Sequence, residues 1–143
     1  MGIAYRIEPN GLTIIVWDGE VTERDTIDNL LQLAADTDWP NGRLSLTDLT
    51  TVGHVVLPDR ELLDELIAGT DLREKLEKVV VVRPEFLRGT SVTDASASLG
   101  MATKPFGDLE GACAHLGVDV HAVRATIAEL RESLQNVEMQ QDA

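Results

Sequence analysis

Four consecutive valines, Val79 to Val82, constrain this chain more than any other stretch. Lys78 precedes them and Arg83-Pro84 follows, so the apolar run is short and sharply bounded. β-branched side chains favour extended backbone, and an unbroken apolar run lacks the alternation of a strand with one wet face. The run therefore reads as a central parallel strand buried on both faces, with layers packed on either side of it. Segments with helical spacing flank it, which makes the chain a series of strand–helix units.

The other elements follow from periodicity and punctuation. Ala4 to Glu8 alternates weakly, Pro9-Asn10-Gly11 is a turn, and Leu12 to Trp17 is a stronger strand closed by Asp18-Gly19-Glu20. So short a link predicts an antiparallel hairpin with its first strand at the sheet edge. Thr22, followed by Arg24-Asp25, predicts an N-cap. Ile27, Leu30, Leu31 and Ala34 then form an apolar helical stripe. Arg43 to Leu49 alternates as a third strand, with Leu44, Leu46 and Asp48 on one face, and Thr50 to Leu57 reads as irregular. Pro58 opens a helix carrying Leu62, Leu63, Leu66 and Ile67, ended by Gly69. A weaker helix of small residues is predicted within 84–100, with Val92, Ala95 and Leu99 on one face. Thr103 to Phe106 is a short edge strand, its proline suited to an edge. Asp108 caps a helix that Gly117 stops, and Asp119 caps the last one, which frays from Glu138. The order is β-β-α-β-α-β-α-β-α-α, an α/β fold with a small mixed sheet of about five strands. The 143 residues form a single domain, with a core over 4–117 and an additional C-terminal helix over 119–136.

That last helix carries Val120, Val123, Ile127, Leu130 and Leu134 at alternating spacings of three and four, a narrow seam flanked by Arg124, Glu129, Arg131 and Glu132. Two heptads are too short to pair alone in water, so the seam must dock on something folded. It either covers its own sheet or meets a second copy. The three-residue link Gly117-Val118-Asp119 limits its reach and favours the second copy, hence a homodimer.

Twenty-five acidic residues against twelve basic ones leave a formal net charge of -13. Such a surface repels nucleic-acid backbones and anionic membranes, so neither is expected as a partner. Cys113 is the only cysteine, which excludes a disulfide framework and suits a reducing cytoplasm. No apolar run approaches a bilayer span.

Three pieces of the chain resemble the STAS domain family, the fold of the bacterial anti-sigma-factor antagonists. They are the hairpin with the capped start Gly19-Glu20-Val21-Thr22, and the strand ending Leu46-Thr47-Asp48-Leu49-Thr50. The third is the valine strand followed by Phe106-Gly107-Asp108-Leu109-Glu110-Gly111-Ala112. The resemblance implies strands adjacent in chain order, helices mostly against one face, and action by binding partner proteins. Several such proteins are switched by phosphorylation of a Ser or Thr at the start of the helix after the third strand. Here that place is Val56-Leu57-Pro58-Asp59-Arg60, without a hydroxyl. The closer likeness is to STAS-like bacterial proteins that share the shape without that motif, and no phosphorylation switch is expected there.

Asp48, Thr50, Thr51 and His54 crowd the end of the third strand, where open α/β sheets hold their ligands. A catalytic reading makes His54 a general base oriented by Asp48. The competing reading makes Asp48 and Thr50 caps for loop backbone, and it prevails because no nucleophile or oxyanion site lies nearby in sequence. Thr90 and Ser91, after Gly89, could offer hydroxyls and N–H groups to an anion at a helix start. His54, His115 and His121 lack metal-ligand spacing, Cys113 sits on an apolar stripe, and no Gly-rich phosphate loop is present. No metal and no cofactor are expected, and nothing supports an enzyme. The expected function is a non-enzymatic regulatory or protein-interaction module of STAS-like type. The alternative is a carrier of a small apolar or anionic ligand, held between the sheet and the 84–100 helix.

Overall fold

The computed structural model of the chain describes residues 2–36, 43–56, 58–69, 76–82 and 102–142. Five strands, β1 (Gly2–Ile7), β2 (Thr13–Val21), β3 (Arg43–Val55), β4 (Leu76–Val82) and β5 (Ala102–Phe106), lie in one sheet in chain order. β1 runs antiparallel to β2, as its short turn requires, and every later neighbour is parallel. The valine strand is thus an interior strand with parallel neighbours on both sides, and β1 and β5 are the edges. The described helices are α1 (Glu23–Ala35), α2 (Arg60–Ala68), α3 (Leu109–Leu116) and α4 (Val120–Asp142). The helix expected within 84–100 lies outside the described residues.

Helices cover both faces of the sheet, not mainly one. Alternate residues of β2 face opposite ways. Ile15 and Trp17 join Leu33 of α1 and Leu63 of α2 in one core, while Ile14 and Val16 join Ala112, Cys113, Val123, Ile127 and Leu130 of α3 and α4 in another. Trp17 is core, as its strand position implies.

The helix starts and stops behave as their residues dictate. Thr22 and Asp25 form a capping box, with Asp25 N donating to Thr22 Oγ1 at 3.1 Å and Thr22 N donating to Asp25 Oδ2 at 2.8 Å. Asp108 Oδ1 accepts from Gly111 N at 2.6 Å. Gly117 closes α3 at φ 72°, a left-handed turn that glycine adopts without strain, and Val118 N donates to Cys113 O at 3.0 Å.

Three expectations are corrected. β3 does not become irregular at Thr50 but continues to Val55, because β2 also runs on past Trp17 and supplies pairing partners as far as Val21↔Val55. Gly19, at φ 62°, absorbs the register shift that this extension requires. On α1 the buried side chains are Thr26, Asn29 and Leu33, with Leu30 and Ala34 packed beside them. Leu31, expected in the stripe, is 46% exposed, since the helix rests on the sheet along a line rotated from the seam that its leucines suggest.

The third correction concerns α4. Val123, Ile127 and Leu130 are buried against the chain's own sheet, with Val120 and Leu134 packed around them. The seam proposed for a second copy is therefore already occupied. The argument from the short link fails because α3 sits over β4 and β5, so a tight turn sends α4 back across β2 and β1. Arg6 Nη1 donates to Glu129 Oε2 at 2.6 Å and Thr126 Oγ1 to Glu8 Oε1 at 2.7 Å, tying the helix to β1 and its turn. The helix also outlasts its seam to Asp142, through a polar stretch of good helix formers such as Glu138, Met139 and Gln140.

Two outcomes follow from this packing. Ile127→Ala should lower stability by about 2–5 kcal/mol, the usual range for emptying a buried aliphatic site, read as a shift of the urea midpoint. Tyr5 Oη donates to Asp36 Oδ2 at 2.8 Å, linking β1 to the end of α1. Burial, then this bond, then the carboxylate charge push the phenol from 10.0 up to about 12. Because Tyr5 is the only tyrosine, an ultraviolet titration should show a single phenolate step near the raised value, and Asp36→Asn should lower it. The raised value favours the neutral phenol in the folded state. Its stabilising effect is complete below pH 10.0 and disappears as pH climbs towards 12.

Candidate functional site

The polar end of the sheet is built by a bulge. Val16 opposes Asp48, yet Asp18 opposes Thr51, so three residue steps of β3 (48 to 51) match two of β2 (16 to 18). Asp48 also opposes Val82, the last residue of β4, which places it at the carboxyl end of that strand. The extra residue lets Thr51 Oγ1 donate to Asp18 Oδ1 at 2.7 Å, while Asp48 Oδ1 accepts from Thr50 N at 2.9 Å.

Arg131 of α4 enters this cluster from the helical layer. Its Nη2 donates to Asp48 Oδ2 at 2.8 Å and lies 3.4 Å from Thr50 Oγ1, and its Nε stands 4.0 Å from Asp18 Oδ1. The Asp48 and Asp18 side chains are 5% and 11% exposed and that of Arg131 27%, so these charges interact largely away from solvent. Arg131 Nε is buried without a hydrogen-bond partner among the described residues. One permanent cation thus stands between two carboxylates, each further engaged by a hydroxyl or a backbone N–H. Such carboxylates are held as ion-pair partners.

The structure brings Asp48, Thr50 and Thr51 together and leaves His54 out. His54 is exposed opposite Glu20, six residues beyond Asp48 along extended backbone, which is roughly 20 Å. An Asp48–His54 catalytic pair is therefore ruled out by strand geometry. Thr90 and Ser91 lie outside the described residues. Cys113 is buried, and loss of solvent pushes its thiol up, which disfavours the thiolate a nucleophile needs. His115 leans on the Phe106 ring at 5.5 Å and His121 is exposed. Among the described residues no group of three or more His, Cys, Asp or Glu could hold a metal ion, and no helix is long and apolar enough to cross a membrane.

Asp18 and Arg131 belong to the site although the sequence does not announce them. Asp18 reads as the polar close of a strand, and Arg131 as a charge flanking an apolar seam. One signal was available: Asp18 and Asp48 both continue the inward parity of their strands, after Val16 and Leu46.

A five-stranded sheet ordered along the chain, opening with an antiparallel hairpin and followed by parallel strand–helix units, is the STAS-like arrangement. The similarity to a solved structure agrees with it. An uncharacterised protein of the DUF3478 family with a SpoIIAA-like fold, from Shewanella loihica PV-4, is 22% identical with a TM-score of 0.56. The match covers 80% of this chain and 94% of that one, and it establishes the fold. No protein-family model and no curated protein matches the sequence.

Removing Arg131 would take the guanidinium from the buried Asp48 carboxylate and from beside Asp18. Arg131→Met should therefore cost about 3–5 kcal/mol by urea denaturation, the range for breaking one side of a buried ion pair. Adding Asp48→Asn and Asp18→Asn to that variant should recover most of the loss. A single variant as stable as the parent would show that solvent already screens the cluster.

Proposed function

We propose that this chain is a non-enzymatic regulatory module that binds a partner protein along the polar end of its sheet. One observation carries the reading. Where an α/β sheet would place its chemistry, Asp48 and Asp18 are spent on Arg131, whereas Thr50, Thr51 and His54 are exposed on a strand that outruns β4. Among the described residues, β3 beyond Asp48 pairs with β2 alone. Exposed threonines, an imidazole and strand-edge backbone groups suit recognition of another chain. The STAS-like fold supports the same reading by analogy of shape. The phosphoacceptor place of that family, 56–60, holds no hydroxyl, so partner binding here does not depend on phosphorylation at that helix start.

The test is native mass spectrometry of the protein isolated from its own cells. A complex of the 15.6 kDa chain with a second protein, weakened by Thr51→Arg and His54→Glu, is the expected result. An adduct of small-molecule mass in its place would overturn this reading in favour of a ligand carrier, and the chain alone would argue against both.

A further inference from the structure

We propose a second binding site, for a small organic ammonium ion with a short apolar body, in the cleft between the β1–β2 turn and the start of α4. This cleft holds about 290 Å³ and lies at the amino end of β2, the opposite end of the sheet from the Asp48–Arg131 cluster. The proposal stands independently of partner binding there. Its size falls at the small end of the range for ligand sites.

Leu12, Ile14 and Val123 close the bottom as part of the core shared by the sheet and α4, each no more than 3% exposed. The accessible apolar lining is Pro9, Val118 and Ala122. The polar groups converge from two sides. Glu8 comes from the strand turn and Asp119 from the junction of α3 and α4, with Asn10 and Thr126 between them. Among the described residues, no basic side chain lines the cleft. The arginines of the adjoining elements are committed elsewhere, Arg6 to Glu129 and Arg124 to Glu110.

Both carboxylates are held in place by the fold. Glu8 Oε1 accepts from Thr126 Oγ1, whose residue is only 8% exposed, and Asp119 Oδ1 accepts from His121 N at 3.1 Å. Among the described residues, no hydrogen bond reaches the second oxygen of either carboxylate. The start of α4 also lies here, and its dipole alone would favour an anion. The carboxylate of Asp119 already occupies that position, so with Glu8 the rim carries two negative charges against one partial positive one. A cationic head at these two carboxylates, with a short hydrocarbon body against Pro9, Val118 and Ala122, satisfies both halves of the site. The overall charge of -13 raises the local concentration of such cations and lowers that of carboxylates of equal length.

The experiment compares hexylammonium with hexanoate, ligands of the same chain length and opposite charge, by amide chemical shifts of the labelled full chain. Hexylammonium should bind saturably and move the amides of Asn10, Asp119 and Ala122, with hexanoate weaker by about tenfold or more. Ala122→Trp, a change at an exposed lining position, should abolish binding, and Glu8→Gln should weaken it about tenfold if the carboxylate supplies an ordinary charged contact. The dispersion of the spectrum reports whether each variant is folded, and the ammonium–carboxylate comparison needs no variant at all. Hexanoate binding as tightly as hexylammonium, or shifts spread over the whole acidic surface, would overturn the proposal. So would the absence of saturable binding at tens of millimolar.

Discussion

The structure depends on the burial of β2 from both sides. From Leu12 to Trp17 the strand is buried throughout, and Val16 is 0% exposed. Successive side chains point to opposite faces, so removing all of them from water requires two separate layers. α1 and α2 supply the first, arising from the crossovers between parallel strands. The second falls to α3 and α4, which come after the last strand and must fold back over sheet already formed. Each fully buried Ile or Val side chain is worth about 1.5–3 kcal/mol relative to exposure. Leaving this face open would forfeit several such contributions, comparable to the whole stability of a small domain.

Apolar burial is not directional and would tolerate a slip of α4 along the sheet. Arg131 is directional. A slip by one turn would carry its guanidinium about 5.4 Å from Asp48 and Asp18 and leave three charges badly matched. The pairs Arg6–Glu129 and Thr126–Glu8, two and five residues before Arg131, set the same stretch of the helix against β1 and its turn. A buried ion pair is weak as net stabilisation, since desolvation offsets most of the attraction. Its consequence here is alignment: the polar cluster fixes where the helix lies, and the apolar seam holds it there.

This division leaves the two ends of the sheet with different chemistry. At the carboxyl end, acidic side chains face inward and are matched by Arg131, while Thr50, Thr51 and His54 are exposed beside them. At the amino end, Glu8 and Asp119 stand at the rim of a cleft that no basic side chain lines among the described residues. The first arrangement is the one we propose for another chain, and the second the one we propose for a small cation. Both follow from the path of α4, because its Thr126 orders Glu8 and its Arg131 occupies Asp48.

Local signals in the sequence determined the order of the described elements, the antiparallel opening hairpin, the parallel valine strand and the helix ends at Thr22, Asp108 and Gly117. Each of these rests on interactions within a few residues, or on a pattern that only one secondary structure can bury. Contacts between residues far apart in the chain decided the rest. Arg131 and Asp48 are separated by 83 positions, and no periodicity records which acid an arginine will meet. The extension of β3 depended on β2 running on beside it, and the exposure of Leu31 on the angle at which α1 settled. The seam of α4 showed in the sequence as an apolar face needing a cover. That its own sheet provides the cover was decided by the position of α3, which turns the chain back over β2 before a second molecule is required.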